Sequence, residues 1–229
     1  MLKTIGKLGV VIGGLMAAIP AISSTATAAT NFVVNGSFEQ NQLAPGQRWG
    51  VFQNVSPGWY TIDGAGIEIQ RSGTVVDAQD GTFYVELDSH NFDGASNDGS
   101  NTLMGQTLFG LGAGSYELSF YYQARTNNPD SDNGIRAAIG GQELLIDTIR
   151  SAPGGNSWQR YTLDFVLQTA GDVELTFGAF GRENTLGGFI DNVSVVAVPE
   201  PATWLMMILG FGMVGLQIRR RKATRHLFA

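Results

Sequence analysis

Apolar and polar side chains alternate along Ser115–Arg125, which reads SYELSFYYQAR. Successive side chains of a β-strand point to opposite faces of the sheet, so a period of two separates a buried face from the other one. The pattern predicts an antiparallel strand with one face against a core. The predicted buried side chains are Tyr116, Leu118, Phe120, Tyr122 and Ala124.

The same alternation recurs in Tyr161–Leu167 and Asp172–Phe180, and clusters of Gly, Asn, Asp and Pro separate the segments. No amphipathic helix longer than about two turns interrupts them. About ten short strands in one domain predict an all-β, antiparallel β-sandwich or jelly roll over residues 29–197. Further strands are predicted at Phe32–Val34, Trp49–Gln53, Gly66–Arg71, Thr82–Asp88, Asn101–Phe109, Ile135–Gly140, Glu143–Asp147 and Phe189–Val196.

The predicted sandwich is strongly acidic. Between Ala29 and Val198 there are no lysines and 7 arginines against 19 Asp and Glu residues, a net charge of −12, whereas the whole chain carries −6. Such a surface repels phosphate backbones, so we expect no nucleic-acid partner. The chain has no cysteine, which excludes disulfides and thiolate metal sites.

The N-terminus has the pattern of a secretory signal. Lys3 and Lys7 precede an apolar stretch, and Ala26 and Ala28 occupy the small-residue positions of an A-x-A cleavage site. We therefore predict a signal peptide over residues 1–28 that forms a short helix and is removed by signal peptidase. The alternative is an uncleaved membrane helix, for which the apolar stretch is short.

The C-terminus has three parts in a fixed order: a proline-flanked glutamate, an apolar run and a basic cluster. The run 202–218 has 17 residues, and at ~1.5 Å each a helix of this length measures about 25 Å. A bilayer core is ~30 Å thick, so we predict a barely sufficient transmembrane helix, followed by a cytoplasmic tail over 223–229. The recognition segment is Pro199, Glu200 and Pro201 with the interfacial Trp204, and the stop-transfer residues are Arg219, Arg220, Arg221 and Lys222.

Residues 198–222 resemble the PEP-CTERM sorting signal of Gram-negative bacteria, in the form that begins VPEPATW and continues into a GFG-containing helix and an arginine cluster. The resemblance implies that an exosortase, a membrane cysteine transpeptidase, recognises Pro199-Glu200-Pro201. It also implies export, an inner-membrane-anchored precursor, and a mature protein at the cell surface or outside the cell. The alternative is an ordinary single-pass anchor.

The sandwich region resembles the galactose-binding-like jelly rolls, which include carbohydrate-binding modules. The resemblance rests on NGSFE at 35–39, PGW at 57–59 and IDNVSV at 190–195, in that order. In such domains the opening Glu and the closing Asp often hold a structural calcium ion, which here implies Glu39 and Asp191. Hard oxygen ligands are those that calcium prefers. The alternative is that both residues are ordinary polar positions.

Sugar rings stack on aromatic faces while polar side chains bond to hydroxyl groups. Tyr121, Gln123 and Arg125 share one face of the predicted strand, and Trp59 is a further aromatic platform, although core packing is the alternative for a tryptophan. Motifs such as G-x-S-x-G and H-E-x-x-H are lacking, so we expect no catalysis. We therefore expect an exported, non-catalytic surface or biofilm-matrix protein that binds exopolysaccharide. A purely structural or adhesive protein and a polysaccharide-active enzyme are the alternatives.

Overall fold

A computed structural model describes residues 30–90, 99–126, 134–148, 157–198, 206 and 208–215. The predicted signal peptide, its cleavage site, the PEP segment and the basic cluster lie outside these residues. Residues 208–215 are helical, and no helix among the described residues combines the length and apolar character needed to cross a bilayer. The predictions outside the described residues include those for Ala26, Ala28, Pro199, Glu200, Pro201, Trp204, Arg219, Arg220, Arg221 and Lys222.

The described part of the sandwich is built entirely from β-strands. In chain order they are β1 (Trp49–Phe52), β2 (Asn54–Val55), β3 (Trp59–Asp63), β4 (Ile67–Arg71), β5 (Phe83–Glu86), β6 (Leu103–Leu111), β7 (Gly114–Gln123), β8 (Gly134–Ile139), β9 (Gln142–Thr148), β10 (Gln159–Leu167), β11 (Gly171–Phe180) and β12 (Phe189–Ala197).

The strands form two antiparallel sheets of six strands each. Sheet A has the order β1-β4-β5-β12-β7-β10, and sheet B has the order β2-β3-β6-β11-β8-β9. Neighbours in each sheet are mostly distant in sequence, and the short connections β6–β7 and β10–β11 cross from one sheet to the other. The predicted all-β, antiparallel sandwich is thus confirmed, and its sheet order is consistent with a jelly roll.

Strand β7 is an interior strand of sheet A, paired with β12 on one side and with the edge strand β10 on the other, and it buries one face as its alternation predicts. Phe120 and Tyr122 are fully buried between the sheets, and the ring of Phe120 stacks on Tyr161 of β10 at a centroid distance of 5.3 Å. On the other side Phe120 meets Phe177 of sheet B edge-on at 5.0 Å. Each buried aromatic ring removes a large apolar area from water, so these contacts join the two sheets.

Two features differ from the sequence-based prediction. The region around Trp59 forms β2 and β3, which were not predicted, because Gly58 and the neighbouring turn residues mask the alternation. The predicted strand Phe32–Val34 is reduced to an isolated bridge between Asn31 and Val196.

The side chain of Trp59 is 2% exposed, and its indole nitrogen donates to the carbonyl of Asn35 at 3.0 Å. This corrects the prediction of a sugar platform at Trp59, because the ring packs in the core against Phe38.

Candidate ligand-binding face

The face of sheet A that points away from sheet B carries polar side chains, and we call it the outer face of sheet A. In β4 the core residues Ile67 and Ile69 alternate with Glu68 and Gln70, and in β5 Val85 precedes Glu86. The register pairs Glu68 with Glu86 across the two strands. The strand alternation therefore places two carboxylates side by side on this face.

These polar groups are almost completely shielded from water. Glu68 and Glu86 are each 1% exposed, and Gln70 is 3% exposed. The amide nitrogen of Gln70 donates to both carboxylates, at 2.8 Å to Glu68 Oε1 and through a short contact to Glu86 Oε2. Tyr84 completes the row, because its hydroxyl donates to Gln70 Oε1 at 2.8 Å. Buried polar groups need such partners, and this network satisfies them.

Glu86 is the electrostatic centre of the network. Burial raises its pKa well above the ordinary range, and the nearby Glu68 charge raises it further, while the Arg125 guanidinium acts in the opposite direction. Arg125 pairs with Glu86 Oε1, which also accepts a hydrogen bond from the amide of Gly187 at 3.0 Å. Burial also raises the pKa of Asp88, the next outward residue after Glu86 along the chain. The cluster therefore resists carrying a full complement of negative charge.

The network reaches solvent through His90. The backbone amide of His90 donates to Glu68 Oε2 at 2.8 Å, and its ring Nδ1 lies 3.1 Å from the same oxygen. The His90 side chain is 47% exposed, and its ring lies 4.7 Å from that of Trp49, with 32° between the two planes. Trp49 is itself 37% exposed. The buried carboxylates are thus joined to an exposed aromatic pair at the edge of sheet A.

Tyr121, Gln123 and Arg125 belong to the same face, as predicted from their alternation. Gln123 is 6% exposed, whereas Tyr121 is half-buried next to Arg160 on β10. Arg125 lies over the ring of Phe189 at 5.5 Å in addition to pairing with Glu86. The structure brings these three predicted residues together and leaves Trp59 in the core.

Sequence reasoning missed Glu68, Gln70 and Glu86. Each of them interrupts an apolar strand at a position of the outward set, which is the pattern that could have revealed them. What the pattern could not reveal is that these outward positions are shielded from water.

Glu39 and Asp191, the predicted calcium ligands, meet at one turn over residues 79–83. Glu39 Oε1 accepts hydrogen bonds from the amides of Thr82 and Phe83 at 2.7 and 2.9 Å. Asp191 Oδ2 accepts from the amides of Gln79 and Asp80 at 2.9 and 3.0 Å. The two carboxylates therefore accept hydrogen bonds from four backbone amides and hold the turn in place.

Whether this turn suits calcium depends on how many oxygens it offers. Calcium takes six to eight oxygen ligands, and no group of three or more acidic or histidine side chains among the described residues is arranged to hold a metal. Burial raises the pKa of Asp191 to about 7, although three backbone amides act against this rise. The residues present account for the turn without an ion, and calcium at Glu39 and Asp191 stays a prediction.

Comparisons with solved structures show the same fold in other proteins. A Stig cyclase from Fischerella sp. TAU, solved in complex with an indole compound, is 18% identical, with a TM-score of 0.54 over 75% of this chain and 99% of its own. A second cyclase structure from Fischerella sp. TAU is also 18% identical, with a TM-score of 0.55 over 75% and 98%. At this identity the likeness concerns the fold alone.

A carbohydrate-binding module, TmCBM61, solved in complex with β-1,4-galactotriose, is 18% identical over 74% of this chain and 100% of its own. Its TM-score of 0.43 is too low to say anything about this chain. No curated protein matches the sequence.

One family model matches the C-terminal part of the chain. The PEP-CTERM protein-sorting motif matches residues 197–222, which include the proline-flanked Glu200 and the arginine cluster. The match confirms the resemblance drawn from the sequence. The chain therefore carries a PEP-CTERM protein-sorting motif behind a β-sandwich, and the motif indicates an exported, exosortase-processed protein of a Gram-negative bacterium.

Proposed function

We propose that this protein is a non-catalytic component of the cell surface or extracellular matrix that binds polysaccharide at the outer face of sheet A. The observation that carries the proposal is the buried Glu68–Gln70–Glu86 network, which opens to solvent at the Trp49–His90 ring pair. The sorting tail delivers this face to the outside of the cell, where polysaccharide is the abundant ligand.

The chemistry of the face supports a sugar better than an apolar ligand. Sugar rings present C–H surfaces that pack on aromatic side chains, and their hydroxyls bond to polar groups at the surface. Glu68, Gln70 and Glu86 are shielded, so the exposed ring of His90 is the polar contact that the network holds in place. Trp49 and His90 offer an aromatic surface next to the Glu68 carboxylate, and Tyr121 offers a second ring across the sheet. The network behind them fixes the polar groups in place, which lowers the entropic cost of binding.

Binding of the purified sandwich, residues 29–198, to a glycan array tests the proposal. We expect reproducible binding to at least one exopolysaccharide, and about a tenfold loss of affinity for Trp49→Ala and for Tyr121→Ala, equivalent to ~1.4 kcal/mol each. Phe109→Ala is the matched control, since Phe109 is an aromatic side chain 71% exposed on sheet B. The control should bind as the wild type does.

Other results would favour the alternatives. A blank array, with all variants folded, favours a purely structural or adhesive surface protein. Release of reducing sugar from an exopolysaccharide would contradict the non-catalytic assignment.

We further propose that residues 202–218 anchor the precursor in the inner membrane until an exosortase acts at Pro199-Glu200-Pro201. Mass spectrometry of the mature protein tests this together with signal cleavage. We expect an N-terminus at Ala29 and loss of the tail, and we expect the tail to be retained in a Glu200→Ala variant. A mature wild-type chain that still ends at Ala229 would overturn the sorting proposal.

A further inference from the structure

The sandwich ends where the sorting tail begins. Strand β12 pairs with β7 as far as Ala197, opposite Tyr116, and the amide of Val198 still donates to the carbonyl of Ser115 at 2.9 Å. The next residue, Pro199, has no amide hydrogen with which to continue the ladder. The folded domain therefore holds the chain up to the residue that precedes the PEP segment.

Three apolar side chains are exposed at this end of the sandwich, which we call the tail end: Val166 and Val198 on sheet A and Phe109 on sheet B. Their exposed fractions are 52%, 40% and 71%. The register places Val166 of β10 opposite Ser115, the residue that binds Val198. Phe109 lies near the end of β6, which is joined to the start of β11 because the amide of Gly110 donates to Asp172 Oδ1 at 2.9 Å.

A groove of about 310 Å³ lies at the tail end between β7, β10 and Val198, while Phe109 lines a separate groove with Tyr60 and Thr107. The walls of the tail-end groove include the edges of Tyr116 and Phe165, whose rings stack at 5.4 Å, together with Val166 and Val198. The tail end thus presents an apolar groove where the chain leaves the domain, and contiguous apolar surface of this kind is typical of a contact site.

The length of the connecting chain limits how far the tail end can lie from the membrane. Four Cα–Cα steps separate Val198 from Ala202, the first residue of the predicted helix, and at most ~3.6 Å per step gives about 14 Å. A headgroup layer is about 5–8 Å thick. The gap that remains is about 6–9 Å, less than the ~10 Å diameter of one helix.

We propose that the tail end is a lipid-contacting surface, on which Phe109, Val166 and Val198 rest against the membrane in the anchored precursor. This inference depends on the proposed anchoring by residues 202–218. The tail-end segments 109–116 and 164–172 contain no Lys or Arg, and their charged residues are Asp164 and Asp172. The contact is therefore apolar, and a zwitterionic lipid surface suits it better than an anionic one.

Single-cysteine labelling tests the contact without background, because the chain has no native cysteine. The full-length precursor would be placed in phosphatidylcholine nanodiscs containing headgroup spin-labelled lipid, with an environment-sensitive fluorophore at Val166→Cys. Gln159→Cys is the matched control on the same strand, seven residues and about 23 Å away. Val214→Cys, in the helical segment, reports whether the tail is in the bilayer.

We expect spin-labelled lipid to lower the fluorescence of the label about twofold at positions 166 and 214 and to change it little at position 159. Only the first two positions lie within reach of the headgroup layer. In the Phe109→Ser background, which removes an exposed ring and leaves the core intact, quenching at position 166 should weaken. Replacing part of the phosphatidylcholine with phosphatidylglycerol should weaken it as well.

Three results would overturn the inference, each in a different way. Quenching at 214 with equal signals at 166 and 159 means that the helix is anchored but the tail end does not touch lipid. If the fluorophore at position 166 is not quenched by lipid and its emission changes only when exosortase is added, the surface binds the enzyme and not the membrane. An unquenched 214 means that the proposed anchoring itself fails, and the lipid contact fails with it.

Discussion

Raising the pH should destabilise the sandwich through Asp191. This carboxyl is fully buried, and burial raises its pKa from the ordinary 3.8 to about 7, with the charge of Asp80 adding to the rise. The folded state therefore binds a proton that the unfolded state has already released between these two pH values. Stability gained from this proton is present at low pH and is lost as the pH rises through about 7.

The size of the effect follows from the two pKa values. A shift of one unit corresponds to 1.36 kcal/mol, and between about pH 5 and about pH 8 the proton on Asp191 accounts for roughly 2.5 kcal/mol of unfolding free energy. Glu86 and Asp88, whose pKa values are also raised, contribute in the same direction. A comparison with an Asp191 variant therefore separates the contribution of Asp191 to the pH dependence from those of Glu86 and Asp88.

Urea unfolding of wild type and Asp191→Asn at both pH values, with EDTA present, is the appropriate assay. Asparagine can still accept the amide hydrogen bonds of Gln79 and Asp80 through its side-chain oxygen, but it does not ionise. We expect the wild type to lose roughly 2.5 kcal/mol more than the variant on going to the higher pH. Asp164→Asn, at an exposed position of β10, is the matched control and should behave as the wild type does. Equal pH dependence in wild type and Asp191→Asn would show that Asp191 does not hold this proton in the folded state.

Three further predictions concern the core, a tight contact and calcium. Trp59→Ala should lower the unfolding free energy by about 3–5 kcal/mol in a denaturant titration, because it leaves a cavity in the core. Trp49→Ala, at the surface, should lower it far less, and similar losses for the two variants would contradict the core placement of Trp59. Gly188→Ala should lower the melting temperature, because the new Cβ would overlap the hydroxyl of the buried Tyr122. Gly112→Ala is the control, since its Cβ would have its nearest contact at 3.8 Å and should leave the melting temperature unchanged. A wild-type melting temperature for Gly188→Ala would contradict this packing. If calcium binds at the turn over 79–83, EDTA should lower the melting temperature at neutral pH, and an unchanged melting temperature removes the calcium prediction.

The candidate face could be predicted from the sequence only in part. The alternation of β7 places Tyr121, Gln123 and Arg125 on one face, because strand periodicity is a local property of the backbone. Glu68 and Glu86 come from different strands, and their pairing depends on the register of β4 against β5. No local pattern specifies that register.

Tryptophan shows the same limit. The predicted platform Trp59 is buried, whereas Trp49 lies against the His90 ring at the surface. Both residues stand beside glycines and turn residues in the sequence, so composition does not distinguish them. Their exposure is set by which sheet each strand joins and which face it turns to the core.

The sandwich and the sorting tail could be recognised in the sequence, since both depend on short-range features: a period of two along each strand, and a proline-flanked glutamate followed by an apolar run and arginines. Three groupings became visible only in the folded chain: carboxylates from β4 and β5 meet behind an exposed aromatic pair, Glu39 and Asp191 bind one turn, and Val166 of β10 lies beside Val198 where the tail leaves. These groupings join residues far apart in the chain, and the strand order and register that bring them together arise from packing the two sheets on each other.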